Sequence, residues 1–399
     1  MFNTTASRFA TTLYQEEVLK MGTATVMMCF TLKKETFDSE EAHALYHTIP
    51  GICFHGNAEL QTVCDCGEKG DKMITATSDD GSHIVIHLYH FAYLTVDITF
   101  VVDDAKYLKP LSEPYHLEFI KELERSVSEH LNDFVEDCKS LCCPIRRAPG
   151  ITWTYGYTGD ERLLETDYEE ILYETQSKWQ NIKIARSREF GNVLLLDDDI
   201  MLGESDLIYT ETLLGIGKND FKNKHILILG GGDGGVLHEL LKQSPANILM
   251  AEIDEEVVIA CDKYLKKVCG DTMKKREGTN YKIKICDCVQ ELKDTLESGR
   301  KYDYIINDLT EFSVDKNQYG FSYQFETSCV ILELSMKVLQ PGGKYLARGN
   351  CLSARNYIKR FEKDVRALGL EFTRTDLHVP SFKETYCLYE VRNQINTDG

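Results

Sequence analysis

Between residues 72 and 101 apolar and polar positions alternate, in Lys72-Met-Ile-Thr-Ala-Thr77, Ser82-His-Ile-Val-Ile-His-Leu88 and Tyr93-Leu-Thr-Val-Asp-Ile-Thr-Phe-Val101, with a turn at Asp79-Asp80-Gly81. A period of two predicts three strands joined by short loops. From Leu117 to Phe134 the rhythm changes: Leu117, Ile120, Leu123, Val127, Leu131 and Phe134 recur at helical intervals, leaving Lys121, Glu122, Glu124 and Glu129 for water. Arg146-Arg-Ala-Pro-Gly150 interrupts any regular element and reads as a linker. Short alternating runs follow at Glu161-Arg-Leu-Leu, Ile182-Lys-Ile-Ala and Asn192-Val-Leu-Leu-Leu196, before a turn at Asp197-Asp-Asp. Beyond residue 205 the pattern is of another kind. Ile226-Leu-Ile-Leu229 is too short for a helix and suits a strand buried on both faces, as in a parallel sheet. Helical spacing then alternates with further strands, at Ile248-Leu-Met-Ala-Glu-Ile253, Tyr281-Lys-Ile-Lys-Ile285, Tyr302-Asp-Tyr-Ile-Ile306 and Lys344-Tyr-Leu-Ala-Arg348. The expected architecture is α/β in three parts: an α+β domain over 1–146, a small β domain over 147–205, and a Rossmann-like domain over 206–399.

The first parallel strand runs into Gly230-Gly-Gly-Asp-Gly-Gly235, and Val236, Leu237, Leu240 and Leu241 then open a helix. Gly230, Gly232 and Gly235 fit G-x-G-x-x-G, a turn whose glycines let the backbone approach a nucleotide. Glu252 ends the next strand, 22 residues on, where an acid can accept both ribose hydroxyls. A NAD site has the same outline, so adenosine is the common expectation. Asp233 narrows it. A pyrophosphate, or the carboxylate of intact S-adenosylmethionine, would meet a like charge costing ~1 kcal/mol at 4 Å in water and several at lower dielectric. A cationic tail is attracted instead, as on decarboxylated S-adenosylmethionine; the plainer alternative is a solvated turn residue or helix cap. Strands also end at Asp287-Cys288 and Asn307-Asp308, and ligands collect at such ends, so Asp233, Glu252, Asp287 and Asp308 are expected to line one crevice. Gly203-Glu-Ser-Asp206-Leu-Ile-Tyr209 starts a helix with Ser205 as the expected cap, and Asp206 and Tyr209 share a face.

Composition changes this picture little. A net charge of −19 disfavours nucleic acid or an anionic membrane as partner and suits a polycationic ligand. No apolar run is long enough to span a bilayer and the first residues lack a signal-peptide pattern, so a cytoplasmic protein is expected. The 14 cysteines form no paired CxxC units, and His83, His87 and His90 lie on or beside a strand and read as core or surface histidines in preference to a metal site, so free thiols and no metal are expected.

The glycine turn, Glu252-Ile-Asp254, Asp287-Cys288, Asn307-Asp308-Leu309-Thr310 and Trp179-Gln180-Asn181-Ile182 together resemble the polyamine aminopropyltransferases, the spermidine and spermine synthases. The resemblance is clear from about Arg147 to Glu390 and fainter before. It implies a seven-stranded methyltransferase-type sheet, an N-terminal domain like S-adenosylmethionine decarboxylase that makes a homodimer, and no cofactor, decarboxylated S-adenosylmethionine being a co-substrate. It also implies residue roles: Gln180, Asp233, Glu252, Asp287 and Cys288 for the nucleotide substrate, and Tyr209, Asp206, Asp233, Phe382 and Glu384 for the polyamine. Asp308 falls at the family's proton acceptor; a structural strand-end acid is its plainer alternative. Trp179 and Phe382 stand where tyrosine is usual, and Glu311 where spermidine synthases hold putrescine with an aspartate. The residues after Glu311 and the long N-terminal domain favour spermidine as acceptor over putrescine, with a methyltransferase as the alternative from another class. Because only a neutral amine attacks, Asp308 is expected to be a base whose pKa is raised by burial beside other acids. The polar segment Thr310 to Ser322 is a candidate lid over the pocket.

Overall fold

The computed structural model describes residues 22–34, 39–56, 58–66, 71–102, 115–147, 155–158, 162–309 and 321–393. The chain divides into two compact units, Met1–Thr154 and Tyr155–Gly399.

The first unit holds β1 (Gly22–Leu32), α1 (Ser39–Cys53), β2 (Ala58–Cys66), β3 (Asp71–Ser78), β4 (His83–Tyr89), β5 (Tyr93–Val102), α2 (Tyr115–His130) and β6 (Val135–Arg147). The strands form one antiparallel sheet in the order β2-β3-β4-β5-β1-β6. Its core follows from alternation: Val26, Met28 and Phe30 on β1, Ile84 and Ile86 on β4, and Leu94, Val96 and Ile98 on β5 are buried with Leu123 and Val127 of α2. The three expected strands are present, and β1, β2 and β6 join them. Arg146 and Arg147, expected in a linker, instead pair with Ala24 and Thr23 at the end of β6. The expected helix also stops short, with 131–134 turning into β6. His90 is bonded to Asp71, and His87 stacks on Tyr89 with its Nε2 buried.

In the second unit β7 (Tyr155–Tyr157) pairs with β8 (Leu163–Glu165). A four-stranded antiparallel sheet follows, β9 (Tyr168–Gln176), β10 (Asn181–Ser187), β11 (Gly191–Leu196) and β12 (Asp199–Gly203), in sequential order. The larger layer contains α3 (Leu207–Leu214), β13 (His225–Gly230), α4 (Gly235–Leu241), β14 (Asn247–Glu252), α5 (Glu255–Tyr264), α6 (Lys266–Cys269), β15 (Tyr281–Ile285), α7 (Cys288–Ser298), β16 (Tyr302–Asp308), α8 (Phe321–Val338), β17 (Leu339–Cys351), α9 (Arg355–Ala367), β18 (Leu370–Val379) and β19 (Glu384–Asn393). Its sheet runs β15-β14-β13-β16-β17-β19-β18, parallel except for the antiparallel β19. Along β13 the side chains divide between two cores. Ile226 and Ile228 meet α3, α4, α5 and the four-stranded sheet, whereas Leu227 and Leu229 meet α7, α8 and α9. That is why the first parallel strand reads as unbroken hydrophobicity.

From β13 the chain winds outward to β14 and β15, then returns to β16 on the other side of β13. The carboxyl ends of β13 and β16 therefore diverge into the crevice where open α/β sheets bind ligands. The candidate lid residues 310–320, with Thr310 and Glu311, lie outside the described residues, while Phe321 and Ser322 already belong to α8. Among the described residues no helix is long and apolar enough to cross a membrane.

Candidate active site

Backbone geometry builds this site before any side chain does. Gly230 pairs with Asp308 across the β13–β16 ladder at φ +77°, and a Cβ there would stand 2.8 Å from the Asp308 carbonyl oxygen. At Gly232 a Cβ would come 3.0 Å from Glu252 Oε2 and 2.9 Å from a Val257 methyl. Gly230 is required by both its φ and the backbone beside it, and at Gly232 a side chain would press on Val257 and Glu252.

Asp233 sits within the turn, its Oδ1 accepting the Gly235 N–H at 2.7 Å. Asp308 ends β16 and its Oδ1 accepts the Tyr209 hydroxyl at 2.7 Å. Both carboxyls keep some contact with solvent but are crowded by protein. Burial pushes both upward in pKa, and the charge of Asp308 pushes Asp233 further. Asp308 is held back by the Tyr209 hydrogen bond and the Arg348 guanidinium. The two acids behave as one coupled pair whose first proton leaves more readily than its second. The rise expected for Asp308 is present, with burial its chief cause.

Glu252 ends β14, nearly buried, with Oε1 accepting the Asp254 N–H at 2.9 Å. Burial raises its pKa to about 7 against the lowering pull of the backbone hydrogen bonds it accepts, that from Asp254 first. Asp254 caps α5 by accepting the Glu256 N–H, and it also accepts the Ser177 hydroxyl at 2.6 Å and the Gln180 amide at 3.0 Å. Gln180, at the edge of the four-stranded sheet, is thereby fixed at the Glu252 end of the crevice. Trp179 beside it is half exposed, with the Lys178 ammonium 4.7 Å from its ring centroid.

Asp287 is the cap of α7, accepting the Val289 N–H at 2.8 Å, and is itself exposed. Cys288 opens α7, its thiol pushed up to about 12 by burial and then by Asp287 and Glu252. Asp233, Glu252 and Asp308 thus form a connected group, with Asp287 at its edge.

Tyr209 is buried on α3, its phenol raised well above its ordinary range by burial and by Asp308. The Phe382 ring lies 6.2 Å from the Tyr209 ring and 4.9 Å from that of Tyr386. Glu384 opens β19 and accepts from the Ser353 hydroxyl at 3.3 Å. Asp206 departs from its expected role. Its buried carboxylate accepts the Gly203 N–H at 2.7 Å, the Ser381 N–H at 3.1 Å and the Ser381 hydroxyl, so it anchors the turn carrying Phe382 instead of facing a ligand. Asp206, not Ser205, also occupies the position before α3, without a capping bond from its side chain. Sequence reading gave no role to Asp254, Ser381 or Arg348; only the pairing of Asp254 with Glu252 in one short motif hinted at the first.

A strand-end crevice beside a glycine turn, lined by three coupled acids with a tyrosine on one of them, defines an α/β protein of the nucleotide-binding type with an electronegative site. Residues 206–397 match the spermine/spermidine synthase domain and residues 152–204 the spermidine synthase tetramerisation domain; the chain belongs to the spermine/spermidine synthase family. It is similar to the polyamine aminopropyltransferase of Thermococcus kodakarensis, at 33% identity over 47% of this chain and 67% of that protein. With spermine synthase SPE4 of Saccharomyces cerevisiae it shares 36% identity over 36% of the chain and 48% of the relative. The polyamine aminopropyltransferase of Clostridium botulinum is 37% identical over 35% of the chain and 48% of the relative, so the chain spans about half the length of several curated relatives it matches. A spermidine synthase crystal structure from Thermotoga maritima aligns over 61% of the chain and 79% of that structure's chain, with 22% identity and a TM-score of 0.48.

Proposed function

We propose that the protein transfers the aminopropyl group of decarboxylated S-adenosylmethionine to spermidine, giving spermine and 5'-methylthioadenosine. The observation that carries this is the Asp233–Asp308 pair flanking the glycine turn, an arrangement hostile to a phosphate or carboxylate and suited to two cations. Glu252 accepts the ribose hydroxyls, with Gln180, Asp287 and Cys288 on the nucleotide side. Asp233 holds the aminopropyl ammonium, while Tyr209, Phe382 and Glu384 line the acceptor side.

The acceptor nitrogen arrives protonated, and making it neutral near pH 7 costs roughly 4 kcal/mol for a lysine-like amine. Asp308 takes that proton. The freed lone pair attacks the methylene carbon bonded to sulfur, a C–N bond forms, the C–S bond breaks, and its electron pair neutralises the sulfonium to a thioether. No other cofactor enters the balance.

Purified protein supplied with decarboxylated S-adenosylmethionine and either spermidine or putrescine, with products resolved by mass, tests the reading. Spermine from spermidine at a rate well above any spermidine from putrescine is expected. Transfer to putrescine alone would overturn the acceptor, and tighter calorimetric binding of intact S-adenosylmethionine would overturn the reaction. We assign dimer formation to the N-terminal domain over residues 1–146. Removing it is expected to leave a species of lower oligomeric order by sedimentation; an unchanged assembly would refute the assignment.

A further inference from the structure

Arg348 lies on β17, the strand next to the one carrying the base, three residues before that strand ends at Cys351. Ala347 on β17 pairs with Asn307 on β16 in parallel register, and Leu346 with Ile306, so one residue further on Arg348 stands beside Asp308, where β16 ends while β17 continues against β19. They share a face, because residues in register across a sheet point the same way. It is the face on which Ile306, Leu346, Tyr209 and Phe382 meet in one core.

The arginine is held there by aromatic rings. Its guanidinium carbon lies 5.4 Å from the centroid of Phe382 and 5.1 Å from that of Tyr386, and those two rings meet edge to face. Phe382 is positioned in turn by the Ser381–Asp206 anchor. A planar cation set against two adjoining rings is well placed for cation–π attraction, which lets it stay charged among apolar neighbours.

A fixed positive charge works against the binding of cationic substrates, so this cleft should be poorer for having it unless the arginine has work to do on the carboxylate alongside. We infer that Arg348 is a positioning residue for the base: its guanidinium keeps Asp308 a carboxylate in the open cleft, ready to take a proton, until an acceptor ammonium arrives. The inference rests on the aminopropyl-transfer reading for Asp308 as base. The ionisable groups that bear on the pair are Tyr209 from α3, Asp233 from the glycine turn with Glu252 beyond it, Asp199 from β12, and Glu384 and Tyr386 from β19. Each of these is an acid or a phenol, and Arg348 is the cation that opposes the upward push of burial on Asp308, Tyr209 and Asp199 alike.

The test is the pH dependence of kcat/KM in Arg348→Gln and Arg348→Lys. A nearby opposite charge lowers a carboxyl's pKa, by about 1 pH unit at the low end of the usual range. Arg348→Gln should therefore move the acid limb upward by ~1 pH unit, about a tenfold loss at a pH on that limb, and Arg348→Lys should leave the limb near its wild-type position. A merely structural arginine would lower the rate in both variants without moving the limb, and that result overturns the inference. A second readout needs no activity: the proton uptake that distinguishes the protein from its Asp308→Asn variant, measured by difference titration with and without Arg348→Gln. If wild-type protein transfers no aminopropyl group, the proposed function fails by itself and this titration still decides the role of Arg348. Should Arg348→Gln not fold, Arg348→Met takes its place; if neither neutral variant folds while Arg348→Lys does, the charge is structural and the inference is wrong.

Discussion

Asp308→Asn lowers turnover by about 10²–10⁴-fold and leaves methylthioadenosine binding within about twofold of wild type. The substitution is close to isosteric. An asparagine oxygen still accepts the Tyr209 hydroxyl, so the hydrogen bond at 2.7 Å survives and α3 keeps its place against β16. What is lost is proton affinity, because an amide oxygen does not take a proton from an ammonium. The loss therefore appears in kcat, and single-turnover kinetics at pH 8 with ligand calorimetry beside it would check both halves. Turnover within tenfold of wild type would remove Asp308 as the base. The variant has a second signature: without the neighbouring charge that pushes Asp233 upward, Asp233 becomes a stronger acid and ionises at lower pH.

This prediction could be framed from sequence because the relevant pattern is local. An apolar run ending in Asn307-Asp308 places an acid at a strand end whatever the neighbouring strands do, and a run of glycines after Leu229 forces a turn. Contacts made at a distance in sequence were hidden. Gln180 and Asp254 are 74 residues apart, and Asp206 and Ser381 are 175 apart, so a side chain read as facing a ligand turned out to be an anchor. Arg348 gave no signal because its meaning lies in the register of β17 against β16, where it stands beside Asp308. In the first unit β1 escaped for another reason: Met27 and Cys29 lie between the buried Val26, Met28 and Phe30, so its two faces differ little in hydrophobicity. The helix over Leu117 to Phe134 was legible by period but not by end, since Leu131 packs in the core after the helix has closed at His130.

Glu252→Gln should stabilise the ligand-free protein at pH 8 and weaken nucleotide binding in the same step. Glu252 is nearly buried at the end of β14, and its folded pKa is raised from 4.5 to about 7, chiefly by burial. The folded state thus holds this proton more tightly than the unfolded chain does. The stability it contributes is whole below about pH 4.5 and is lost as pH rises through about 7, a difference of roughly 3 kcal/mol at most. Glutamine does not titrate, so the variant escapes that loss. Urea unfolding between pH 5 and 8, followed by tryptophan fluorescence with Trp179 beside Gln180, should show the variant gaining on wild type as pH rises. Parallel curves would show that the buried carboxylate carries no such penalty. In the liganded protein the sign reverses, because ribose hydroxyls donating to the carboxylate stabilise its charged form. Their loss should weaken methylthioadenosine binding by about 10–100-fold, as for hydrogen bonds to a charged group. The acid that makes the empty crevice unstable at neutral pH is then the one that makes it bind, and a cleft built to hold cations is at its most strained when it holds none.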